Sequence, residues 1–496
     1  MPPATAAEWR AFMSKDKLKG LNGMDSFIEG LMEEWHVPGL AVGIVKDGEV
    51  ILTRGFGYRD VAGNLIMTDT TTLPIGSATK SFTALALGML ADEGKLDWDK
   101  PVKEYIPWFK MYDSFATERM STRDLLCHRS GLPHHDVHGI FTTKTRKEMV
   151  EDLRYLQPSA DFRTVLQYQN HMVMTAGYVL EMITGKTWEQ FIQERVFNKL
   201  GMKNSNFSIK EINKYPEYSK GYAFNGIETI ETEFLPLTGM GPAGAINSTA
   251  VDMTKYLLLQ LGKGNFNGEQ LVSEAKLAQM HTAQMIGTPY LWKLDEIEFA
   301  SYGLCWFVDM YRGHKMVSHG GNTKGFSSLV TLLPEKNFGI IMLSNMDTSF
   351  SIYVMTYTIL DRILGLEEIN WSPKIKTEVD KLFGIMDAMQ EKKAKDRIPD
   401  TKPSHPLKDY AGEYTHPAFG TIILELDADT LKGKYYSSDL AVQHYHYDIF
   451  DVKFTLMGLQ SLVTFNTNAQ GAIDSLTAPL EPALGVDPIV FKKVCK

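Results

Sequence analysis

The chain has 496 residues, too many for one ordinary domain and enough for two or three. Apolar residues make up 44% and charged residues 22%, close to globular averages, which excludes a disordered, collagen-like or coiled-coil architecture. Lysine and arginine number 51 against 60 aspartates and glutamates, a net charge of −9 with both signs interspersed, which argues against nucleic acid as a partner. No apolar run approaches the roughly 18–20 residues of a membrane helix. The N-terminus carries Trp9, Arg10, Lys15, Asp16 and Lys17 where a signal peptide needs an apolar core, so the expected location is cytoplasmic, or secreted or periplasmic after loss of a leader. The three cysteines, Cys127, Cys305 and Cys495, form neither a disulfide framework nor a zinc spacing.

In chain order, the spacing of Leu21, Met24, Phe27, Ile28, Leu31 and Trp35 predicts an amphipathic helix over 21–35, stopped by Pro38. Leu40–Val45 and Val50–Thr53 flank Lys46-Asp47-Gly48 and predict a β-hairpin. The stretch from about 77 to 280 is mostly helical by pattern. Ser327–Leu333 and Gly339–Leu343 read as strands around Pro334-Glu335-Lys336-Asn337. Strands at both ends with helices between make an α+β layout in which the terminal strands share one antiparallel sheet flanked by helices, with a mostly helical subdomain.

A second amphipathic pattern runs through Ile375, Val379, Leu382, Met386 and Met389, and the charged, proline-containing run Lys395–Pro406 reads as a linker. Beyond it, Gly420–Leu426, Leu431–Tyr436, Phe450–Leu456, Leu462–Phe465 and Ile489–Phe491 predict a small all-β barrel or sandwich. The expected organisation is residues 1–370 as one domain, 371–405 as helix and linker, and 406–496 as the barrel.

Three motifs carry chemistry. Gly76-Ser77-Ala78-Thr79-Lys80 opens an apolar helix and puts Ser77 and Lys80 on one helix face. A serine hydroxyl needs a base to become a nucleophile, and a lysine serves as one only if burial or positive potential keeps it partly neutral. A serine N-cap beside a solvated lysine gives the same letters; the apolar residues after Lys80 favour its burial. Tyr168-Gln169-Asn170 offers a phenol that works as general base and acid near a cation, and an amide able to hold a substrate carbonyl; alone it is equally a half-buried aromatic and a turn asparagine. His319-Gly320-Gly321-Asn322-Thr323-Lys324-Gly325-Phe326 precedes a strand, and paired glycines on a strand edge admit a ligand backbone. A backbone N–H from such an edge can share an oxyanion hole with that of Ser77.

The motifs occur in the order Ser-x-x-Lys, Tyr-x-Asn, His-Gly-Gly, about 90 and then about 150 residues apart. In this the chain resembles the serine β-lactamase and penicillin-binding-protein superfamily, and in particular its class C β-lactamase-like branch of esterases, D-aminopeptidases and D-amino-acid amidases. The resemblance covers about residues 20–365 and includes Trp35–Gly43, Asp124–Pro133, Gly241–Ala245, Ser248–Met253 and Tyr302–Trp306. Residues 406–496 are similar to the lipocalin-like C-terminal domain of some of these hydrolases, through Leu407–Tyr414 and His444–Phe450.

The resemblance implies Ser77 as acylated nucleophile, Lys80 and Tyr168 as its proton partners, Asn170 as holder of the acyl amide, and the N–H groups of Ser77 and Asn322 as the oxyanion hole. It implies a mechanism with no metal and no cofactor, acting on a small molecule or peptide. His319 stands where many relatives carry the lysine of a Lys-Thr-Gly triad, and Gly320 and Gly321 complete that substrate-binding edge. Histidine is only partly charged near neutral pH, which ranks amidase, peptidase or esterase activity above β-lactamase activity. Acyl transfer, peptide cyclisation and non-catalytic peptide or β-lactam binding are the alternatives. The C-terminal domain is the expected route to any homo-oligomer.

Two histidine groups remain. His134, His135, Asp136 and His138 fit no standard zinc spacing and are expected on an exposed loop at a pocket rim. His444 and His446 share one strand face and are expected to pack. Cys127 and Cys305 are expected to be inert buried thiols.

Overall fold

The computed structural model describes residues 21–494, apart from 141, 208–211, 213–214, 236, 238, 288–292, 456–458 and 482–486. The N-terminal charged residues and Cys495 lie outside the described residues. Two compact units emerge: one holds the chain up to Ile106, Ser121–His128 and Met172–Val379, the other Pro107–Met120, Arg129–His171 and the chain from Asp380 onward.

In the first unit, helix α1 (Met24–Glu34) leads into strands β1 (Gly39–Lys46) and β2 (Glu49–Asp60). Asp47 and Gly48 join them with φ of 52° and 78°, the two positive values that a two-residue hairpin turn needs. Helix α2 (Thr79–Asp92) carries Lys80. Helix α3 (Asn170–Thr184) opens at the predicted Tyr-x-Asn motif, and α4 (Ala250–Leu261) follows a Thr249 cap. Strands β3 (Phe307–Tyr311), β4 (His314–Thr323), β5 (Phe326–Leu333) and β6 (Phe338–Ser344) then precede helices α5 (Ser351–Leu364) and α6 (Trp371–Asp396).

Among the described residues the sheet has ten strands, its main path running β3-β4-β5-β6-β1-β2 with two-residue strands at both ends. As the hairpin pattern implied, the first and last long strands meet: β1 pairs antiparallel with β6, Leu40 opposite Ser344 and Lys46 opposite Phe338. Every residue of β5 and β6 is buried, because helices cover both faces. On one face Ile28 and Leu31 of α1, Met355 and Ile359 of α5, and Trp371 and Ile375 of α6 cluster with Leu40, Val42 and Ile44. Each such side chain contributes about 1.5–3 kcal/mol by leaving water. Helix α4 packs on β1 and β6.

In the second unit, strands β7 (Gly412–His416), β8 (Gly420–Asp427), β9 (Thr430–Tyr435), β10 (Ser438–His446), β11 (Ile449–Phe454), β12 (Leu459–Thr467), β13 (Ile473–Ala478) and β14 (Ile489–Lys493) form a closed antiparallel barrel, β14 returning to pair with β7. Tyr410, Tyr414, Phe450 and Phe465 pack ring against ring inside it. Strands β7, β10 and β13 were not anticipated from sequence. In β10 the polar Ser438, Asp439, Gln443 and His444 mask an alternation that buries Ser438, Leu440, Val442 and Tyr445.

The histidine-rich segment departs from expectation in part: His134 is exposed as expected. His135 and His138 are buried, not on an exposed rim, because Phe419 of the barrel segment packs against both rings and Glu481 accepts from the His135 N–H. His444 and His446 accept or donate to neighbouring backbone, as packing residues do.

Candidate active site

Between Thr71 and Lys80 every residue is buried except Ser77, which is half-buried. Ser77 sits in the 3₁₀ turn Gly76–Ala78, just ahead of α2. The sequence places thirteen consecutive buried residues behind it, Thr79–Ala91, so the turn is mounted on a helix fixed in the interior. Lys80 is drawn down with that helix and is fully buried. Its Nζ donates to Ser77 Oγ at 2.8 Å and to the carbonyl of Ala243 at 2.7 Å. The short Gly241–Gly244 helix that presents Ala243 is pinned to α2 by a Thr83 hydroxyl donating to Pro242 O at 2.7 Å.

The His319–Asn322 edge meets this turn. Strand β3 pairs with β4 only as far as Ser318, opposite Phe307, so the residues beyond have no strand partner on that side. Gly76–Ser77 lies there instead. A Cβ on Gly76, whose φ is 50°, would stand 2.9 Å from Asn322 N, and one on Gly321 would stand 2.8 Å from Ser77 N. Only glycines allow the two backbones this close. Ser328 on β5 clamps the approach by donating to Ile75 O at 2.7 Å. The N–H-bearing backbones of Ser77 and Asn322 are thus neighbours beside the Ser77 hydroxyl. Asn322 is exposed, and its Oδ1 accepts from Ser327 Oγ at 2.8 Å.

His319 is 1% exposed. Its Nδ1 lies 2.6 Å from Gly320 O, which can only accept, so Nδ1 carries the proton. The other ring nitrogen, 2.8 Å from the Tyr302 hydroxyl, then accepts from it. Burial pushes this imidazole down to about 3, reinforced by the Lys80 charge. The ring is therefore neutral at physiological pH.

Tyr168 and Asn170 belong to the second unit. Tyr168 is buried with its ring 6.0 Å from that of His134. Asn170 Nδ2 donates to Asp136 Oδ1 at 2.8 Å, and Gln169 Nε2 donates to Pro133 O at 2.6 Å, so the motif is tied to the loop after Gly131. Ser77, Lys80, His319, Gly320, Gly321 and Asn322 all fall in the first unit. Sequence reasoning missed Ala243 and Tyr302 as the partners of Lys80 and His319. Both lie in segments noted for family likeness, but a backbone carbonyl and a second-neighbour phenol leave no spacing signal of their own. Cys127 and Cys305 are buried, and burial pushes the Cys305 thiol well up, out of reach of thiolate chemistry.

A family model described as Beta-lactamase matches residues 24–361, and one described as a domain of unknown function, DUF3471, matches residues 396–493. The chain is similar to Unguisins hydrolase ungD' of Aspergillus campestris (strain IBT 28561), 26% identical over 499 residues that cover 94% of this chain and 90% of that protein. It is also similar to Protein flp of Staphylococcus aureus (strain MW2), 27% identical over 337 residues, 66% of this chain and 63% of that protein. Among solved structures, the octameric penicillin-binding protein homologue from Pyrococcus abyssi matches with a TM-score of 0.61 at 23% identity, covering 95% of this chain and 100% of that one.

Proposed function

The chain belongs to the β-lactamase family, and from that premise we propose that it is a serine hydrolase working through an acyl-enzyme on Ser77. The observation that carries the reading is the buried Lys80 amine 2.8 Å from the Ser77 hydroxyl. With Lys80 neutral, the same contact runs from the Ser77 O–H to the amine lone pair, and the lysine takes the proton as Oγ attacks a carbonyl carbon. The developing oxyanion accepts from the N–H groups of Ser77 and Asn322. Tyr168 protonates the departing nitrogen or oxygen as its bond to the acyl carbon breaks, then takes a proton from water as the water oxygen bonds to the acyl carbon; the Oγ–acyl bond breaks, the acid leaves, and the proton held by Lys80 returns to Oγ. Asn170 holds the acyl amide. Residues 1–370 carry the reaction, and the barrel at 406–496 serves access or assembly.

The neutral His319 directs the choice of substrate. A fixed cation there would reward a free carboxylate; a satisfied imidazole does not. Amide bonds of peptides or D-amino-acid derivatives, or small esters, therefore rank ahead of β-lactams. The relative named a hydrolase supports the reaction class. A panel of p-nitroanilides and p-nitrophenyl esters built on L- and D-amino acids, with free and amidated carboxyl ends, tests this. Turnover that vanishes in Ser77→Ala and does not require the free carboxylate is expected. Absence of turnover on the whole panel, or activity unchanged in Ser77→Ala, overturns it.

A further inference from the structure

The turn between β7 and β8, Pro417–Phe419, is joined to the segment that carries Tyr168 and Asn170 by a chain of polar groups, all within the second unit. The chain begins at the half-buried Lys144. Its ammonium has three protons to place, and three oxygens meet it: Pro417 O at 3.2 Å, Ala418 O at 3.0 Å and Asp152 Oδ2 at 2.5 Å. Two of the three belong to the barrel turn. Asp152 closes the short helix Arg146–Asp152 and is buried. The same carboxylate oxygen lies 2.9 Å from His138 Nε2. His138 Nδ1 in turn lies 2.7 Å from His171 Nε2, and both rings are fully buried. Phe419, the last residue of the turn, packs edge-on against the His138 ring with centroids 5.6 Å apart.

The direction of the chain follows from its ends. Burial pushes both imidazoles down, so each is neutral at pH 7 and carries one ring proton. A carboxylate paired with an ammonium only accepts, so His138 holds its proton on Nε2, and its Nδ1 accepts from the His171 Nε2–H. His171 is the second residue of α3 and follows Asn170 directly. Its backbone N–H donates to Gln169 Oε1 at 2.6 Å, and Gln169 Nε2 donates to Pro133 O and His134 O. Ring and backbone of His171 are thus both tied, at the residue that follows the Tyr-x-Asn motif. An ion pair taken out of water destabilises a fold unless its other donors are met. Without the turn, Lys144 would keep one of these three acceptors. We propose that the barrel is a positioning element of the hydrolase: through Lys144, Asp152 and His138, its β7–β8 turn holds His171 and so sets the placement of Tyr168 and Asn170. Lys144 and His171 are positioning residues, acting on the reaction only through that motif. The proposal rests on the roles given above to Tyr168 and Asn170, and it gives the barrel a part in turnover beyond access or assembly.

Two variants of the full chain cut the chain at either end. Lys144→Met removes the three donors and His171→Leu removes the ring link, each with little change in volume. Two rates are compared: turnover of a p-nitroanilide, which needs a proton from Tyr168, and labelling of Ser77 by a fluorophosphonate, whose fluoride leaves without one. Each variant is expected to lose about ten- to hundredfold in kcat on the anilide, the cost of a misplacement of about 1 Å, with KM and the labelling rate within about twofold of wild type. His171→Gln keeps a donor toward His138 and is expected to recover most of the kcat lost in His171→Leu. Because both residues belong to one chain, Lys144→Met combined with His171→Leu is expected to lose no more than the worse single variant. An unchanged kcat in both single variants overturns the proposal. So does labelling that falls in step with kcat, the mark of a general loss of structure, or full additivity in the double variant. Tyr168→Phe separates this proposal from the one it rests on. If that variant keeps wild-type kcat, the role of Tyr168 fails and the proposal with it. If it loses kcat while His171→Leu does not, the proposal alone fails.

Discussion

At the scale of single residues, the site depends on groups that the fold has removed from water. Lys80 has a hydroxyl and a carbonyl as hydrogen-bond partners. Lys80→Met keeps most of its volume and apolar stem while deleting the proton acceptor. Acylation by a small ester is expected to fall about 10²–10⁴-fold, the usual worth of general base catalysis, with the far-UV spectrum and thermal midpoint retained. Gly321→Ala acts differently. Its Cβ would meet Ile75 O and stand 2.8 Å from Ser77 N, so the turn must shift away from Asn322. The expected result is a fall in kcat of about 10²–10³-fold with little change in KM, as for loss of an oxyanion donor, measured by steady-state kinetics on the same ester. The Ser77–Lys80 contact was legible in the sequence because residues three apart share one helix face. Ala243 was not, since it acts through its carbonyl, and any residue but the wrong shape could supply one. The charge state of His319 was not either, because it depends on burial and on the Lys80 charge, which the fold brings near it.

At the scale of elements, helices α5 and α6 are joined to the sheet by one buried carboxylate. Asp361 accepts from the Tyr311 hydroxyl at 2.6 Å, the Arg312 guanidinium at 2.6 Å and the Trp371 indole N–H at 2.9 Å. This contact explains the upward push on the Tyr311 phenol, where burial acts first and the neighbouring carboxylate second. Asp361→Ala leaves these donors facing an empty place and is expected to cost about 3–5 kcal/mol, read from the urea midpoint. Asp361→Asn keeps an acceptor and is expected to cost less. Elements with a clean apolar period were readable: β1, the β5–β6 pair and α1 stand within a few residues of expectation, whereas β2 was placed correctly at its start but runs seven residues past Thr53, to Asp60. The barrel strands with polar outward faces, β10 and β13, were not, because alternation there rests on two or three side chains. The histidine segment failed for another reason. A loop after Gly131 and Pro133 reads as surface until Phe419, almost 300 residues on, covers it.

At the scale of the whole molecule, buried histidines set the response to acid. Burial lowers His135 and His416 to about 4 and His281 and His319 to about 3, and it lowers His138 and His171 as well. The unfolded chain binds these protons below about pH 6.5 while the folded chain does not. Their contribution is therefore complete above that value and is lost as pH falls toward 4, by up to about 1.4 kcal/mol per pH unit for each ring. Asp309, raised to about 7 by burial, runs the other way over the same window as a single opposing group. Urea midpoints at pH 7, 6 and 5 are expected to fall steadily; a flat or rising series contradicts the burial of these rings. Among the described residues no helix is long and apolar enough to cross a membrane. The most direct test of the account is covalent. Folded protein treated with a fluorophosphonate and analysed by intact mass and peptide mapping is expected to gain one adduct, on Ser77, absent in Ser77→Ala and slowed in Lys80→Met. Folded wild type that gains no adduct, or a Ser77→Ala protein that gains the same one, contradicts it.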